Sequence, residues 1–488
     1  MTPSESRRAV YARRAAMLAA GALPVLAFPR PELDWAAWAL LVPGLLGLRA
    51  APTAREAAVR GWWFGGGFLI AALYWTIPNI GPGLLLVAAV FGVLWAPWGW
   101  AARTLLPARP AAAMLVLPSL WVLNEYARSW HKLGGPWALL GATQWRHPAV
   151  LALAALGGVW LVGFAVVAVN TALTLAIIDR RVRAPALATA LAVVLAGPLT
   201  YAVLHRPRPE RTMTVALVQP GVVHGPAARL AAEERITAGL PRVDLVVWGE
   251  SSVGFDLARS PDLRARLTAL AARSELLVNE DARDARGRIS KSSIVIGANG
   301  IRGRYVKTRL VPFGEYIPLR PVLGWLAHIS RAAGQDRVPG TGAETLAAGG
   351  TRIGPLVCFE SAFPDLGRAL VRKGARVIVV QSATSTFQDS WAPPQHASLA
   401  AVRAAETGRP VVQAALTGVS AAFDAQGRRL AWADTDARGA VVVTLALPPA
   451  GARTPFARYG DYVIFVALAV TAAELSVTVV RRRRTLPG

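Results

Sequence analysis

Three positions in this 488-residue chain carry residue types that together can perform covalent acyl transfer. Glu250 ends the run VDLVVWGES, Lys307 lies in GRYVKTRLVPFGEY, and Cys358 lies in GPLVCFESAFPD. Cys358 is the sole cysteine, so it forms no internal disulfide, and its value lies in packing or in thiol chemistry. A carboxylate can take the thiol proton and pass it to leaving groups, and a thiolate can attack an acyl carbonyl. An ammonium, with a backbone N–H after the cysteine, can stabilise the oxyanion, and the intermediate is a thioester. Each residue also has an ordinary explanation: Glu250 as the cap of a helix starting at Ser251 or Ser252, Lys307 as a surface lysine, Cys358 as a small core residue. The constellation is stronger than its members. Glu315 is an ordinary residue of a turn after Gly314 on one reading, and on another a carboxylate that could hold the lysine in place.

The elements that must position these residues lie between Thr212 and Pro448. There, short β-branched runs (TVALVQP, VDLVVWGES, ELLVNE, SSIVIGA, RIGPLVCFES, ARVIVVQS, PVVQAAL, GAVVVTLAL) alternate with Ala/Arg-rich helical stretches. Continuous apolar strands separated by helices predict an α/β domain with sheets buried on both faces. Functional residues in such domains sit just past the C-terminal ends of strands, as all three candidates do.

The rest of the chain reads as membrane. Hydrophobic residues make up 54% of the sequence and charged residues 17%, with 17 Trp and a mean hydropathy of +0.39, too apolar for an ordinary soluble enzyme. A net charge of +24 suggests nucleic-acid binding only if the basic residues gather on a folded surface. They do not: between Thr212 and Pro448 there are 28 basic and 20 acidic residues, so two-thirds of the excess lies outside that block. It flanks the apolar runs, at Arg7, Arg8, Arg13, Arg14, Arg49, Arg55, Arg60, Arg103, Arg109, Arg180, Arg181, Arg183 and Arg481 to Arg484.

Eight spans are expected, over Ala15 to Phe28, Trp35 to Leu48, Trp62 to Ile80, Leu84 to Ala102, Ala111 to Ala127, Ala149 to Ile178, Pro185 to Leu204 and Tyr462 to Val480. With eight, every arginine cluster falls on one side, as the positive-inside rule requires, which makes both termini cytoplasmic and the α/β block external. ESRRAVYARRAAMLAAGALPVLAF, from Glu5, reads as a retained signal anchor, because no small-residue cleavage site precedes the next span. Trp35, Trp62, Trp63, Trp75, Trp137, Trp145 and Trp391 read as interfacial anchors or packing, and Arg128 and Arg146 as candidates for phosphate head groups. Glu125 and Glu474 are the acids nearest the apolar segments, too few for a transporter. The sequence has no CxxC, HExxH or GxxxxGK[ST] motif, so neither metal nor cofactor is expected.

The pieces YVKTRLVPFGEYIPLR, GPLVCFESAFPD, QHASLAAVRAAETGRP and TGVSAAFDAQGR, with WVLNEYARSW, GGPWALLGATQWRHP and AVVAVNTALT outside the block, resemble the apolipoprotein N-acyltransferase family, the bacterial membrane branch of the nitrilase superfamily. The resemblance covers nearly the whole chain. It implies a polytopic α-helical membrane domain plus an α/β nitrilase-like domain folded as an α-β-β-α sandwich. Residues 1–211 would hold transmembrane helices 1–7, 212–448 the extracytoplasmic catalytic domain, and 449–488 helix 8 and a basic cytoplasmic tail. It implies a bacterial inner-membrane enzyme that takes an acyl chain from a phospholipid and places it on the α-amino group of the diacylglyceryl cysteine of an apolipoprotein. By motif, Glu250 is the base, Lys307 the oxyanion stabiliser and Cys358 the nucleophile. Glu315 supports the lysine, and Phe359 and Glu360 stand where the family has Tyr-Glu. SATSTF, Ser382 to Phe387, stands where the family has Asn-Asp-Ala-Trp-Phe, and VQPGVV where it has Gln-Gly-Asn, in loops that shape the entrance to the site. Two other readings share the same residues: a membrane-tethered amidase or nitrilase that passes the thioester to water, and an inert protein that binds lipid or lipoprotein.

Overall fold

The computed structural model of the chain describes residues 7–204, 207–284, 286–325, 327 and 334–485. Glu5 and Ser6 of the expected anchor lie outside them, as do the side chains of Arg481 to Arg484. The first part is all helix: α1 (Arg7–Ala22), α2 (Val42–Arg49), α3 (Ala54–Leu73), α4 (Gly83–Gly92), α5 (Ala96–Ala108), α6 (Pro110–Arg128), α7 (Pro148–Ile178) and α8 (Arg183–Val203). Among the described residues, four stretches are long and apolar enough to cross a bilayer: Arg7–Ala27, Gly83–Ala108, Pro148–Ile178 and Arg183–Val203. Close helix approach in lipid depends on small residues, and Gly61 of α3 meets Gly99 of α5. A Cβ on Gly61 would lie 2.4 Å from the Trp95 carbonyl oxygen, and one on Gly99 2.3 Å from that of Ala57.

Short 3-10 turns divide the expected spans Trp62 to Ile80 and Leu84 to Ala102, and two others are interrupted more deeply. Trp35 to Leu48 is not one helix but a 3-10 segment, Asp34–Trp38, followed by α2. The eight residues of α2 rise only about 12 Å, too little to cross alone. The run Ala149 to Ile178 breaks at Gly157 (φ −124°, ψ 20°) and Gly158 (φ 72°, ψ −176°), the latter a conformation open to glycine and costly for other residues. The break leaves about 20 residues, from Val159 to Ile178, to rise roughly 30 Å, the thickness of the hydrocarbon core.

The acids nearest the apolar segments are structural. Glu125 accepts from Trp121 Nε1 (3.0 Å) and Leu140 N (2.7 Å), and Glu474 pairs with Arg109. Arg128, expected to face phosphate, is instead buried, its guanidinium donating to the carbonyls of Trp137 and Ala138 that close the loop after α6. Arg146 pairs with Glu32 at 2.8 Å.

The α/β part contains two six-stranded sheets. The first has the order β12-β1-β2-β3-β4-β5, from β1 (Arg211–Gln219), β2 (Leu245–Val247), β3 (Glu275–Arg283), β4 (Ile289–Gly297), β5 (Gly300–Val306) and β12 (Gly439–Leu447). The second has the order β11-β10-β9-β8-β7-β6, from β6 (Leu346–Ala348), β7 (Thr351–Val357), β8 (Val377–Ser382), β9 (Val411–Ala415), β10 (Ser420–Phe423) and β11 (Arg429–Ala433). β1, β2 and β3 are parallel, as are β7, β8 and β9, while the outer strands are antiparallel.

Period-2 alternation explains the layers. Val215 and Leu217 of β1 meet Val357, Val379 and Val412 between the sheets, whereas Ala216 and Val218 face Leu230 of α9 (Pro226–Ala238) and Leu267 of α10 (Pro261–Leu270). The outer face of the second sheet packs on α11 (Pro364–Arg372) and α12 (Ala392–Thr407) in a core continuous with the membrane helices. This is an α-β-β-α sandwich whose fourth layer is shared with the membrane part, and all 16 residues of α12 are accordingly buried. A final helix, α13 (Tyr462–Thr485), returns to the membrane helices.

The joint between the two parts is made at the break in α7. Freed from the helix ladder, Val159 N donates to Glu406 Oε1 of α12 at 2.8 Å. Glu406 is held by Arg403 through two contacts of 3.0 Å, both residues being buried. Trp160 Nε1 reaches Asp461 at 3.0 Å, and Asp461 pairs with Arg368 of α11. Glu406→Ala strands the Arg403 guanidinium in the interior, so it is expected to cost about 3–5 kcal/mol and lower the melting temperature in detergent. Glu406→Gln, which keeps an acceptor for Val159, is expected to cost less.

Candidate active site

Glu250, Lys307 and Cys358 arrive from three strand ends and meet where the two sheets come together. After β2 the chain passes Gly249, where a Cβ would lie 2.0 Å from Leu416 N, and Glu250 N then bonds Ser382 O at the end of β8 (3.1 Å). No helix starts at Ser251 or Ser252, so the capping explanation of Glu250 falls away. Lys307 follows β5, its N–H continuing the ladder to Lys291 O of β4 (2.9 Å). Cys358 follows β7 with φ 51°, a left-handed conformation uncommon for a residue with a Cβ, and opens a 3-10 turn over Cys358–Ala362. The residue as a whole is half-buried, and its Sγ lies 4.0 Å from Ala383 O.

The buried Lys307 Nζ stands 3.2 Å from Glu250 Oε1 and 2.9 Å from Glu315 Oε2. Glu315 is itself fixed by Arg337 Nη1 (2.8 Å) and Val311 N (2.9 Å). Glu360 receives Tyr305 OH (2.8 Å), Thr308 N (2.7 Å), Thr308 Oγ1 (2.9 Å) and Arg309 N (3.0 Å) on Oε1, and Val357 N (2.8 Å) on Oε2. One carboxylate thus ties the strand bearing the lysine, in one sheet, to the turn bearing the cysteine, in the other. Phe359 stacks edge-on to Phe363 (5.1 Å), and both rings abut Gly135 in the loop between α6 and α7.

The charges set a resting state. Burial raises the Glu250 carboxyl, but Lys291, Lys307 and Arg337 together pull it down to about 2, so it is ionised at neutral pH. Burial, with the Glu250 charge adding to it, pushes the Cys358 thiol up to about 12 against the pull of Lys307. The Lys307 ammonium is held above its ordinary value by Glu250 and Glu315 despite burial. Carboxylate, neutral thiol and ammonium are an arrangement from which base-assisted attack by a thiol can start.

Reading residue types missed several neighbours. Lys291 Nζ lies 3.3 Å from Glu250 Oε1 and 3.1 Å from Asp281 Oδ1. His396 of α12 has Nε2 3.0 Å from Cys358 O and 3.2 Å from Ser361 Oγ, and Nδ1 3.3 Å from Ser382 Oγ. The carbonyl requires an Nε2–H donor, leaving Nδ1 to accept from Ser382, and burial lowers the pKa of this ring. The ring stacks on Trp137 of the membrane part at 6.3 Å and 10°. The Ser382 to Phe387 loop lies beside the thiol through Ala383. It is tied to Thr417 by Thr384 N (3.0 Å to O) and Ser385 Oγ (2.8 Å to Oγ1), and to Trp75 by Phe387 (4.7 Å).

A thiol, a carboxylate and an ammonium at the strand ends of an α-β-β-α sandwich define a carbon–nitrogen hydrolase type of domain, here built onto membrane helices. Residues 227–453 match the carbon-nitrogen hydrolase family, and residues 20–172 match the apolipoprotein N-acyltransferase N-terminal domain. A Geobacter metallireducens protein named apolipoprotein N-acyltransferase is 31% identical over 451 residues, 83% of this chain and 84% of that protein. One of the same name from Methylococcus capsulatus is 33% identical over 388 residues, 76% and 74% of the two chains, and one from Allorhizobium ampelinum is 30% identical with 96% of each covered. The chain belongs to the apolipoprotein N-acyltransferase family.

Proposed function

We propose that this protein is an N-acyltransferase that moves an acyl chain from a membrane phospholipid, through a thioester on Cys358, to the α-amino group of the diacylglyceryl cysteine of apolipoproteins. The observation that carries the reading is the convergence of Cys358, Glu250 and Lys307 beside loops of the membrane part, with Gly135 against Phe359 and Phe363 and Trp137 against His396. A phospholipid ester lies at the bilayer interface, and a site abutting membrane loops can meet it without lifting the lipid out.

In the first half-reaction Glu250 takes the Cys358 proton as Sγ attacks the ester carbonyl, and Lys307 with the backbone N–H of Phe359 stabilises the oxyanion. Collapse breaks the ester C–O bond, Glu250 returns its proton to the departing alkoxide, and lysophospholipid leaves. In the second half the neutral α-amine attacks the thioester and Glu250 receives a proton from the nitrogen. The C–S bond then breaks and the proton returns to sulfur, leaving an amide and a regenerated thiol. The test is mass spectrometry of lipoprotein N-termini from cells with and without this protein. An acylated N-terminus only in its presence supports the reading, and an identical N-terminus in both contradicts it.

The proposed topology has eight crossings, with the sandwich outside and both termini in the cytoplasm. Asp34–Arg49, rising about 25 Å as combined 3-10 and α turns, serves as the second. Supporting it, Arg14 pairs with Glu56 (2.6 Å), and Arg60 and Arg103 bond the carbonyls of Gly47 (2.9 Å) and Ala51 (2.7 Å), so the basic flanks gather at one end of the helices. Reporter fusions after Arg211 and after Arg484 are expected in opposite compartments. Finding both in the cytoplasm would overturn this topology.

A further inference from the structure

We propose that Lys291 is a positioning residue of this site, a second cation that pins Oε1 of Glu250 and leaves Oε2 as the oxygen that receives the thiol proton. The inference rests on the reading of Glu250 as the base. Both ammonium groups approach the Glu250 carboxylate at Oε1, Lys307 Nζ at 3.2 Å and Lys291 Nζ at 3.3 Å. A carboxylate held through one oxygen by two ammonium groups has a defined orientation, and its second oxygen stays open to the thiol.

Lys291 is built into this role. It is buried, the third residue of β4, directly opposite Asp281 of β3 in the antiparallel register. Its Nζ donates to Ser251 Oγ and lies 3.1 Å from Asp281 Oδ1, so the ammonium is held from β3 and from the Glu250 turn at once. Its own carbonyl accepts the Lys307 N–H at 2.9 Å, which couples the two lysines through the backbone. A buried ammonium with an acceptor on each side does not drift, so it can serve as a fixed reference for the carboxylate.

The groups facing Glu250 are Lys291 from β4, Lys307 from the end of β5, Arg337 from the loop before β6, Cys358 from the end of β7 and His396 from α12. Glu315 lies beyond Lys307, and Asp281 faces Lys291. With Lys291 gone, one cation at hydrogen-bond distance remains, and the carboxyl protonates at higher pH. Sign: Glu250 works as a base only when ionised, so the loss of activity must deepen as pH falls.

The experiment uses the full-length protein in phospholipid vesicles and follows acylation of Cys358 by intact mass as a function of pH and lipid concentration. Lys291→Gln and the stem-preserving Lys291→Met are compared with Lys291→Arg and with Glu250→Gln. Expected is an acylation rate constant about 10- to 100-fold lower in Lys291→Gln and Lys291→Met, with half-saturating lipid unchanged and a new acid limb about one to three pH units above that of the parent. Lys291→Arg, which restores the charge, is expected to recover most of the rate. If one of the neutral variants does not fold, the other decides. An unchanged acid limb in a folded neutral variant overturns the proposal, as does a loss equal at every pH that arginine does not repair. If Glu250→Gln acylates normally, the base assignment itself fails; if Glu250→Gln is inactive while Lys291→Met is normal, only the role of Lys291 fails.

Discussion

Cys358→Ala is expected to abolish acyl transfer, by about four orders of magnitude or more, while the protein still inserts and folds. In the proposed mechanism the change removes the group that would form the covalent intermediate, and no other cysteine can substitute for it. It removes only one sulfur atom from a partly exposed position. The left-handed backbone at φ 51° is as awkward for alanine as for cysteine, so the melting temperature should hardly move. Transfer to a diacylglyceryl peptide, read beside a melt in detergent, separates the two effects. Turnover by a folded Cys358→Ala protein would return the cysteine to a packing role.

Lys307→Met is expected to damage both chemistry and fold. The Lys307 ammonium lies between Glu250 and Glu315, all three buried, and its loss leaves two carboxylates facing each other. Lys291 and Arg337 still hold one carboxylate each, so the cost falls near the lower end for a broken buried pair, about 3 kcal/mol. Acyl transfer should fall about a thousandfold if Lys307 is the oxyanion cation of the proposed mechanism. The pH dependence has a definite sign. The folded Glu250 sits at about 2 against an ordinary 4.5, so the stability it contributes is present above 4.5 and is lost as pH falls towards 2. Removing Lys307 raises the folded value and shrinks that contribution, so the acid-unfolding midpoint should move to higher pH. A midpoint unchanged in Lys307→Met would contradict the placement of Lys307 as the partner of Glu250.

Glu250 and Cys358 could be placed at strand ends because each follows an apolar run, whereas Lys307 follows the polar strand GIRGRYV; the parallel cores of both sheets, β1 to β3 and β7 to β9, carry the β-branched signal that marks a buried strand. What was illegible has physical reasons. Lys291 opens the run KSSIVIG, where a lysine reads as a solvated strand end; only pairing with β3 reveals that it is buried against Asp281 and Glu250. Arg403 and Glu406, on a helix with other polar residues, suggest a solvent-facing stripe, but α12 is covered by the sheet on one side and by α7 on the other. His396 is hidden for the same reason: a helix buried on every face has no amphipathic pattern to mark which residues face the site. The short strands β6, β10 and β11 are Ala-, Ser- and Arg-rich, lacking the β-branched runs used to find the others. The division of the long apolar run was hinted at by its Gly157-Gly158 pair, but hydropathy alone reads straight through it.

The proposed function requires that a lipid acyl chain rest on Cys358 and wait for an amine. Intact mass spectrometry of the protein incubated with phospholipid vesicles alone tests it most directly. One acyl group per chain is predicted, removable by hydroxylamine and absent from Cys358→Ala, with about one equivalent of lysophospholipid released and little further turnover until a diacylglyceryl peptide with a free α-amine is added. Continuous release of free fatty acid at the same rate with and without the peptide would contradict the account in favour of hydrolysis. Absence of both adduct and lysophospholipid would contradict it in favour of lipid binding without chemistry.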